Sequence, residues 1–221
     1  NNEGVNTSNT ENTSEEDSLL PRYWKATLSS TWVYNGLDRF FAPTSGVYSK
    51  LKVEYGLPIG DSTINVDQPE KSPFLHYGKI RWDVSFYKGI LGDRLILNPR
   101  VALGFGRMFN KVECGEDSCG QLSRTMPHDE RFTAGGVEPV RGYSIIGPTV
   151  TIDGKPVASG GNLLTTASMN FNLPPLGGGS VLLSAFVDGG YLYGRDPDVD
   201  MNTFRLERVT LSKWLYSAGV Q

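Results

Sequence analysis

Asn162-Leu163-Leu164-Thr165-Thr166-Ala167-Ser168-Met169-Asn170-Phe171-Asn172-Leu173 decides the fold. Leu163, Thr165, Ala167, Met169, Phe171 and Leu173 fall on one face of an extended chain. Asn162, Thr166, Ser168, Asn170 and Asn172 fall on the other. Alternation of this kind is the mark of a strand with one apolar and one polar side.

The same period of two recurs outward in both directions. On the N-terminal side it runs through Tyr23–Tyr34, Val47–Leu57, Phe74–Phe86 and Leu95–Gly106; on the C-terminal side, through Val181–Tyr191 and Trp214–Gln221. Seven strands of roughly ten residues have the length of tilted membrane-crossing strands. The connections alternate as well. Gly36–Gly46, Tyr87–Asp93 and Pro174–Gly179 are short; Pro58–Pro73, Asn110–Gly161 and Leu192–Leu211 are long. Outer-membrane barrels have short periplasmic turns and long extracellular loops, whereas a soluble sandwich has no reason for such asymmetry. Tyr23, Trp24, Tyr34, Tyr55, Phe74, Phe86, Tyr191, Trp214 and Tyr216 lie near strand ends, as an interfacial aromatic girdle requires. The expected fold is all-β: part of an antiparallel up-and-down transmembrane barrel over residues 19–221. Residues 1–18, polar and acidic, form an exposed loop or disordered segment.

Composition sets the limits. No run of 18 apolar residues exists, so no helix crosses a membrane, which leaves barrel strands untouched. A net charge of −3 gives no bias toward nucleic acid. Seven is an odd count, and a sheet with bare edges cannot sit in lipid, so these strands belong to a larger wall.

The long connection holds Glu130-Arg131-Phe132-Thr133-Ala134-Gly135-Gly136, then Val140-Arg141-Gly142-Tyr143. An arginine buried there needs a carboxylate, because an unpaired interior charge costs several kcal/mol. These residues resemble the signature of the BamA/TamA superfamily of outer-membrane assembly barrels, whose sixth extracellular loop carries (V/I)RG(F/Y) into the barrel lumen. Three further stretches resemble the family in its order. Tyr34-Asn35-Gly36-Leu37-Asp38-Arg39 with Pro43-Thr44-Ser45-Gly46 is similar to a periplasmic turn. Val187-Asp188-Gly189-Gly190 resembles the later strand with its inward aspartate, and Ser217-Ala218-Gly219-Val220 the strand third from the C-terminus. The resemblance implies the eighth to fourteenth of sixteen strands. The two final strands, the first seven and the periplasmic POTRA domains would lie outside the chain.

It also implies a bacterial outer-membrane protein that folds and inserts client β-barrel proteins without covalent chemistry. Its partners would be outer-membrane lipids, those clients and accessory assembly lipoproteins, with no cofactor. A weakly closed seam between first and last strands would offer clients a pairing edge. Arg141 would pack on the inner wall. Asp188 is its natural partner, since strand periodicity turns it inward together with Phe186. Asn170 stands where family members often carry a second acid, so the charge cluster here is reduced to one carboxylate. Gly135, Gly136 and Gly142 allow tight turns in the loop, or simply flexibility. Cys114 and Cys119, four residues apart in that loop, are expected to form a local disulfide in an oxidising compartment; a redox or metal pair lacks C-x-x-C spacing and a neighbouring histidine.

Other readings are weaker or distinct. Asp196, Asp198, Asp200, Asn202 and Glu207 imitate a calcium loop, but Met201 stands where glycine belongs; a solvated acidic loop fits as well. Asn6-Thr7-Ser8 and Asn12-Thr13-Ser14 match the glycosylation pattern in sequence where such triplets arise easily. Gly104-Phe105-Gly106 sits in a strand, not a nucleotide loop. His76 and His128 have no nucleophile beside them, and no metal quartet is expected, so an enzyme is disfavoured. Among non-enzymes, a TamA-type or two-partner-secretion transporter differs by its client, a mitochondrial sorting pore by a basic presequence, and a passive porin or adhesion barrel by a stably closed seam.

Overall fold

A computed structural model describes residues 23–65, 72–92, 94–113, 126–134, 140–152, 155–174, 182–194 and 205–221. The acidic segment 1–18, Cys114, Cys119, Gly135, Gly136 and the Asp196–Asn202 stretch lie outside the described residues.

Among the described residues eleven strands occur: β1 (Thr27–Asn35), β2 (Ser45–Gly56), β3 (Thr63–Asn65), β4 (Tyr77–Ile90), β5 (Leu95–Met108), β6 (Lys111–Glu113), β7 (Thr149–Ile152), β8 (Lys155–Ala158), β9 (Leu163–Asn172), β10 (Ser184–Tyr193) and β11 (Leu215–Val220). Seven of them form one sheet in the order β1-β2-β4-β5-β9-β10-β11, and every neighbouring pair is antiparallel. No α-helix occurs among the described residues. This is an up-and-down meander, part of a barrel wall, and the seven strands are those the alternation marks. Their ends differ by up to four residues. β4 and β5 each run to 14 residues, past the predicted limits at Phe86 and Gly106. The long connections also hold structure of their own: β3 pairs with β6 in parallel, and β7 with β8 as a hairpin.

The register sorts the sheet into two faces. One carries Trp32, Leu51, Trp82 and Leu103 side by side across four strands. Trp32, Trp82 and Leu103 are exposed, as lipid-facing residues must be once water is removed. The other face carries Lys52, Arg81 and Gly104 in one row, and Arg100, Ser168, Asp188 and Ser217 in another. That face is the lumen. The apolar core lies beneath the long connections at one end: Ile64, Leu75, Tyr77, Met108 and Met126 pack together with Tyr23, and Phe132, Leu164 and Leu192 form a second cluster.

Two local features explain why the sequence keeps this register. Pro99 stands inside the central strand β5 and has no N–H for the ladder, so the pairing of Phe86 and Tyr87 with β5 is interrupted there. Asn98 supplies the missing donor: its Nδ2 reaches the Phe86 carbonyl at 2.8 Å. In the turn joining β1 to β2, Asp38 accepts from the Thr44 and Ser45 amides at 3.0 Å each and from the Thr44 hydroxyl at 2.6 Å. Gly46 has φ +119, and a Cβ there would stand 2.2 Å from the Gly36 carbonyl oxygen, so only glycine fits. Those bonds hold the exposed Asp38 carboxyl down at about 2.

Candidate functional site: a luminal loop held at two points

The connection between β5 and β9 folds back onto the luminal face, and its described residues meet that face at two places. The first contact centres on Arg141. Its Nε donates to Asp188 Oδ2 at 2.7 Å, its Nη2 to Asp188 Oδ1 at 2.7 Å, and its backbone N–H to Oδ2 at 3.1 Å. Nη2 also donates to Asn170 Oδ1 at 2.7 Å and to Ser168 Oγ at 3.3 Å, and Nη1 to Gln221 Oε1 at 2.9 Å. The Ser168 hydroxyl donates in turn to Asp188 Oδ1. The Asp188 side chain is wholly buried and that of Arg141 is 16% exposed. A two-pronged pair of this kind fixes orientation as well as position.

Phe186 forms the floor. The guanidinium carbon stands 3.6 Å from its ring centroid, close stacking for a cation on an aromatic face. The ring has room because β11 has Gly219 opposite: a Cβ there would stand 2.8 Å from Phe186 Cζ. Gly142 has φ +87 with no atom nearer its Cβ position than 3.9 Å, so conformation, not space, demands glycine. Val140 is fully buried, and the Tyr143 hydroxyl donates to the Tyr216 carbonyl at 2.9 Å. Asn170 does what a carboxylate there could not. It accepts from Arg141 and donates from Nδ2 to Asn98 Oδ1 at 3.2 Å. The loop is thereby joined through two amides to the proline interruption in β5.

The second contact spans Met126–Phe132. Glu130 is buried; its carboxylate accepts from Lys25 Nζ at 2.5 Å and its carbonyl from Lys79 Nζ at 2.8 Å. Burial of Lys25 favours its neutral form, but the hydrogen bond and charge of Glu130 outweigh this and raise its pKa. Phe132 pairs with Gly161 through two backbone hydrogen bonds of 2.9 Å. Its ring rests on Gly104, where a Cβ would stand 2.8 Å from Phe132 Cζ, and Lys79 Nζ lies 4.7 Å from the ring centroid. Met126 covers Gly106 in the same way. The two glycines of Gly104-Phe105-Gly106 are therefore a landing floor for the loop.

Val140, Arg141, Gly142, Tyr143, Asp188, Phe186 and Asn170 thus meet at one place. Sequence reading missed Ser168, Gln221 and Gly219 at that place, and the whole second contact. Ser168 shares the face of Asn170 and was legible in principle; Gly219 was not, since its role depends on a ring in the neighbouring strand. Glu207, from the calcium-like run, pairs with Lys213 at 3.0 Å. His76 bonds to Tyr55 at 2.7 Å, and His128 Nδ1 lies 3.2 Å from the Ser159 carbonyl. No group of three or more His, Cys, Asp or Glu able to hold a metal occurs among the described residues.

The chain matches the Omp85 superfamily domain over residues 1–221, and it belongs to that superfamily. Its fold is similar to that of BamA from Haemophilus ducreyi lacking POTRA domains 1-3. The TM-score is 0.61 at 20% sequence identity, over 88% of this chain and 35% of the other. The chain spans about a third of that solved chain, and the likeness shows the fold of a partial outer-membrane barrel.

Proposed function

We propose, for this member of the Omp85 superfamily, that it is the loop-bearing part of an outer-membrane assembly factor that folds and inserts client β-barrels by non-covalent means. The observation that carries the reading is the Arg141–Asp188 contact, in which a loop arginine is locked to the wall by three hydrogen bonds to one buried carboxylate. A factor that must keep its wall rigid while its seam opens gains from such a lock. On this reading Arg141 acts by position, and the protein's partners are client strands and the surrounding lipid.

The test is growth of cells that depend on the protein carrying this chain. Arg141→Asp and Asp188→Arg, each alone, are expected to fail, and the two together to restore growth. Full growth of both single variants would overturn the proposal. Purified protein in liposomes supplies the second readout. It should speed the folding of a urea-denatured client barrel, and steady conductance without any acceleration would point instead to a passive pore.

A further inference from the structure

A weak join lies between β4 and β5, close to the turn that links them. Their register runs from Tyr77↔Met108 to Ser85↔Arg100, stops, and resumes only at Lys88↔Leu97, Gly89↔Ile96 and Ile90↔Leu95. Carried across the stop, it sets Phe86 opposite Pro99, which has no N–H to give. The turn beyond is strained as well: Leu91 has φ +53, a left-handed conformation disfavoured for leucine. On their outer flanks the two strands are gripped by β2 as far as Lys88 and by β9 as far as Ile96. Any parting therefore falls on the β4–β5 contact itself.

A row of side-chain bonds that begins at Arg141 closes this join. Arg141 Nη2 donates to Asn170 Oδ1 at 2.7 Å, Asn170 Nδ2 to Asn98 Oδ1 at 3.2 Å, and Asn98 Nδ2 to the Phe86 carbonyl at 2.8 Å. A guanidinium can only donate and a carbonyl can only accept, so both ends demand the same orientation of both amides. Asn98 and Asn170 are 4% and 6% exposed, so water does not readily replace a lost partner. We propose that Asn170 and Asn98 form an amide relay, through which the seating of Arg141 sets how firmly β4 and β5 close at Pro99. With Arg141 seated, each bond polarises the next. With the loop withdrawn, Asn170 Oδ1 is left buried without its donor. Turning to relieve it swings Nδ2 away from Asn98, and the Phe86 carbonyl is then held by an amide that nothing steadies. The state of the loop on β9 and β10 is thus felt at β4, two strands beyond β9. The coupling is reciprocal, so parting the join loosens the loop by the same factor. The inference rests on the geometry of the lock and stands independently of the assembly reading.

Hydrogen exchange of the intact protein, read by peptide mass spectrometry, tests the relay. In Asn170→Asp a carboxylate still accepts from Arg141 but has nothing to donate to Asn98. Exchange across Lys88–Leu97 is expected to rise roughly fivefold or more, while Val140–Tyr143 stays protected. Asn98→Leu removes the donor to Phe86 without adding charge and should do the same. Arg141→Leu should raise exchange at both places. Pro99→Ala returns an N–H opposite Phe86, so in that background Asn170→Asp should leave Lys88–Leu97 at the parent rate. Unchanged exchange at Lys88–Leu97 in Asn170→Asp and Asn98→Leu would overturn the proposal. So would an equal rise throughout the seven-stranded sheet, or a failure of Pro99→Ala to restore protection. Heat-modifiable mobility on a gel verifies that every variant is a folded barrel before it is scored.

Discussion

The two points at which the loop meets the wall are built on opposite principles. At Arg141 the wall offers charge: one buried carboxylate, two amides, one hydroxyl and an aromatic floor, all aimed at a single guanidinium. At Phe132 the wall offers absence. Two glycines leave a flat strand on which a ring and a thioether settle, and the ionic part, Lys25 with Glu130, sits at a partly exposed rim. The charged lock fixes direction and needs its partner in one geometry. The glycine floor fixes depth and tolerates side chains of similar shape. The two contacts hold the loop at Met126–Phe132 and again at Val140–Tyr143.

That contrast can be broken from either side. The largest effect is expected at the charged lock. Arg141→Ala leaves the Asp188 carboxylate buried and unpaired, which costs about 3–5 kcal/mol; urea unfolding of the purified barrel, followed by heat-modifiable mobility, measures it. Next comes the floor. Gly104→Val should lift Phe132 and cost roughly 1–3 kcal/mol by overpacking, with trypsin cutting sooner at Arg131. A Gly104 variant as stable and protease-resistant as the parent would mean that the floor is incidental. At the rim, Glu130→Gln removes the ion pair but keeps the Lys79 bond to the backbone. Since Lys25 is more than a third exposed, the loss should be about 1 kcal/mol or less and should vanish in high salt.

The smallest effect concerns neither contact, and so sets the background. Asp38 has its carboxyl lowered from 3.8 to about 2 by the Thr44 hydroxyl and the backbone amides. Its contribution is complete above the unfolded value and is lost as pH falls through the folded one, so the turn should loosen between about pH 4 and 2. Hydrogen-exchange protection at the Thr44 and Ser45 amides, taken relative to the intrinsic exchange rate at each pH, reads this. Protection already lost at pH 5 to 6 would show that the carboxylate is not what holds the turn.

The same contrast explains what could be read from the chain alone. Strand alternation is a one-dimensional signal, so the seven strands, their two faces and the inward placement of Asp188, Phe186 and Asn170 follow from counting residues by twos. Arg141 shares its loop with Arg131 and stands out through the resemblance of Val140-Arg141-Gly142-Tyr143 to the superfamily's loop signature. A glycine floor leaves no such trace: Gly104 and Gly106 read as weakness in a strand until Phe132 and Met126 are seen to occupy the space. Asn98 was equally silent, because its amide matters only where Pro99 interrupts the ladder beside it. Strand ends were missed since apolar alternation fades into the turns while hydrogen bonding continues to Ile90 and Met108.

A double-mutant cycle on Arg141 and Asp188 puts the central claim to the most direct test. The singles Arg141→Ala and Asp188→Ala and the double variant would be unfolded in urea under identical conditions. Locked as a pair, the two should be strongly non-additive, with a coupling of about 2 kcal/mol or more, and the double variant should lose little beyond the worse single. Additive losses would show that the two side chains contribute separately, and the loop would not be held by the pair.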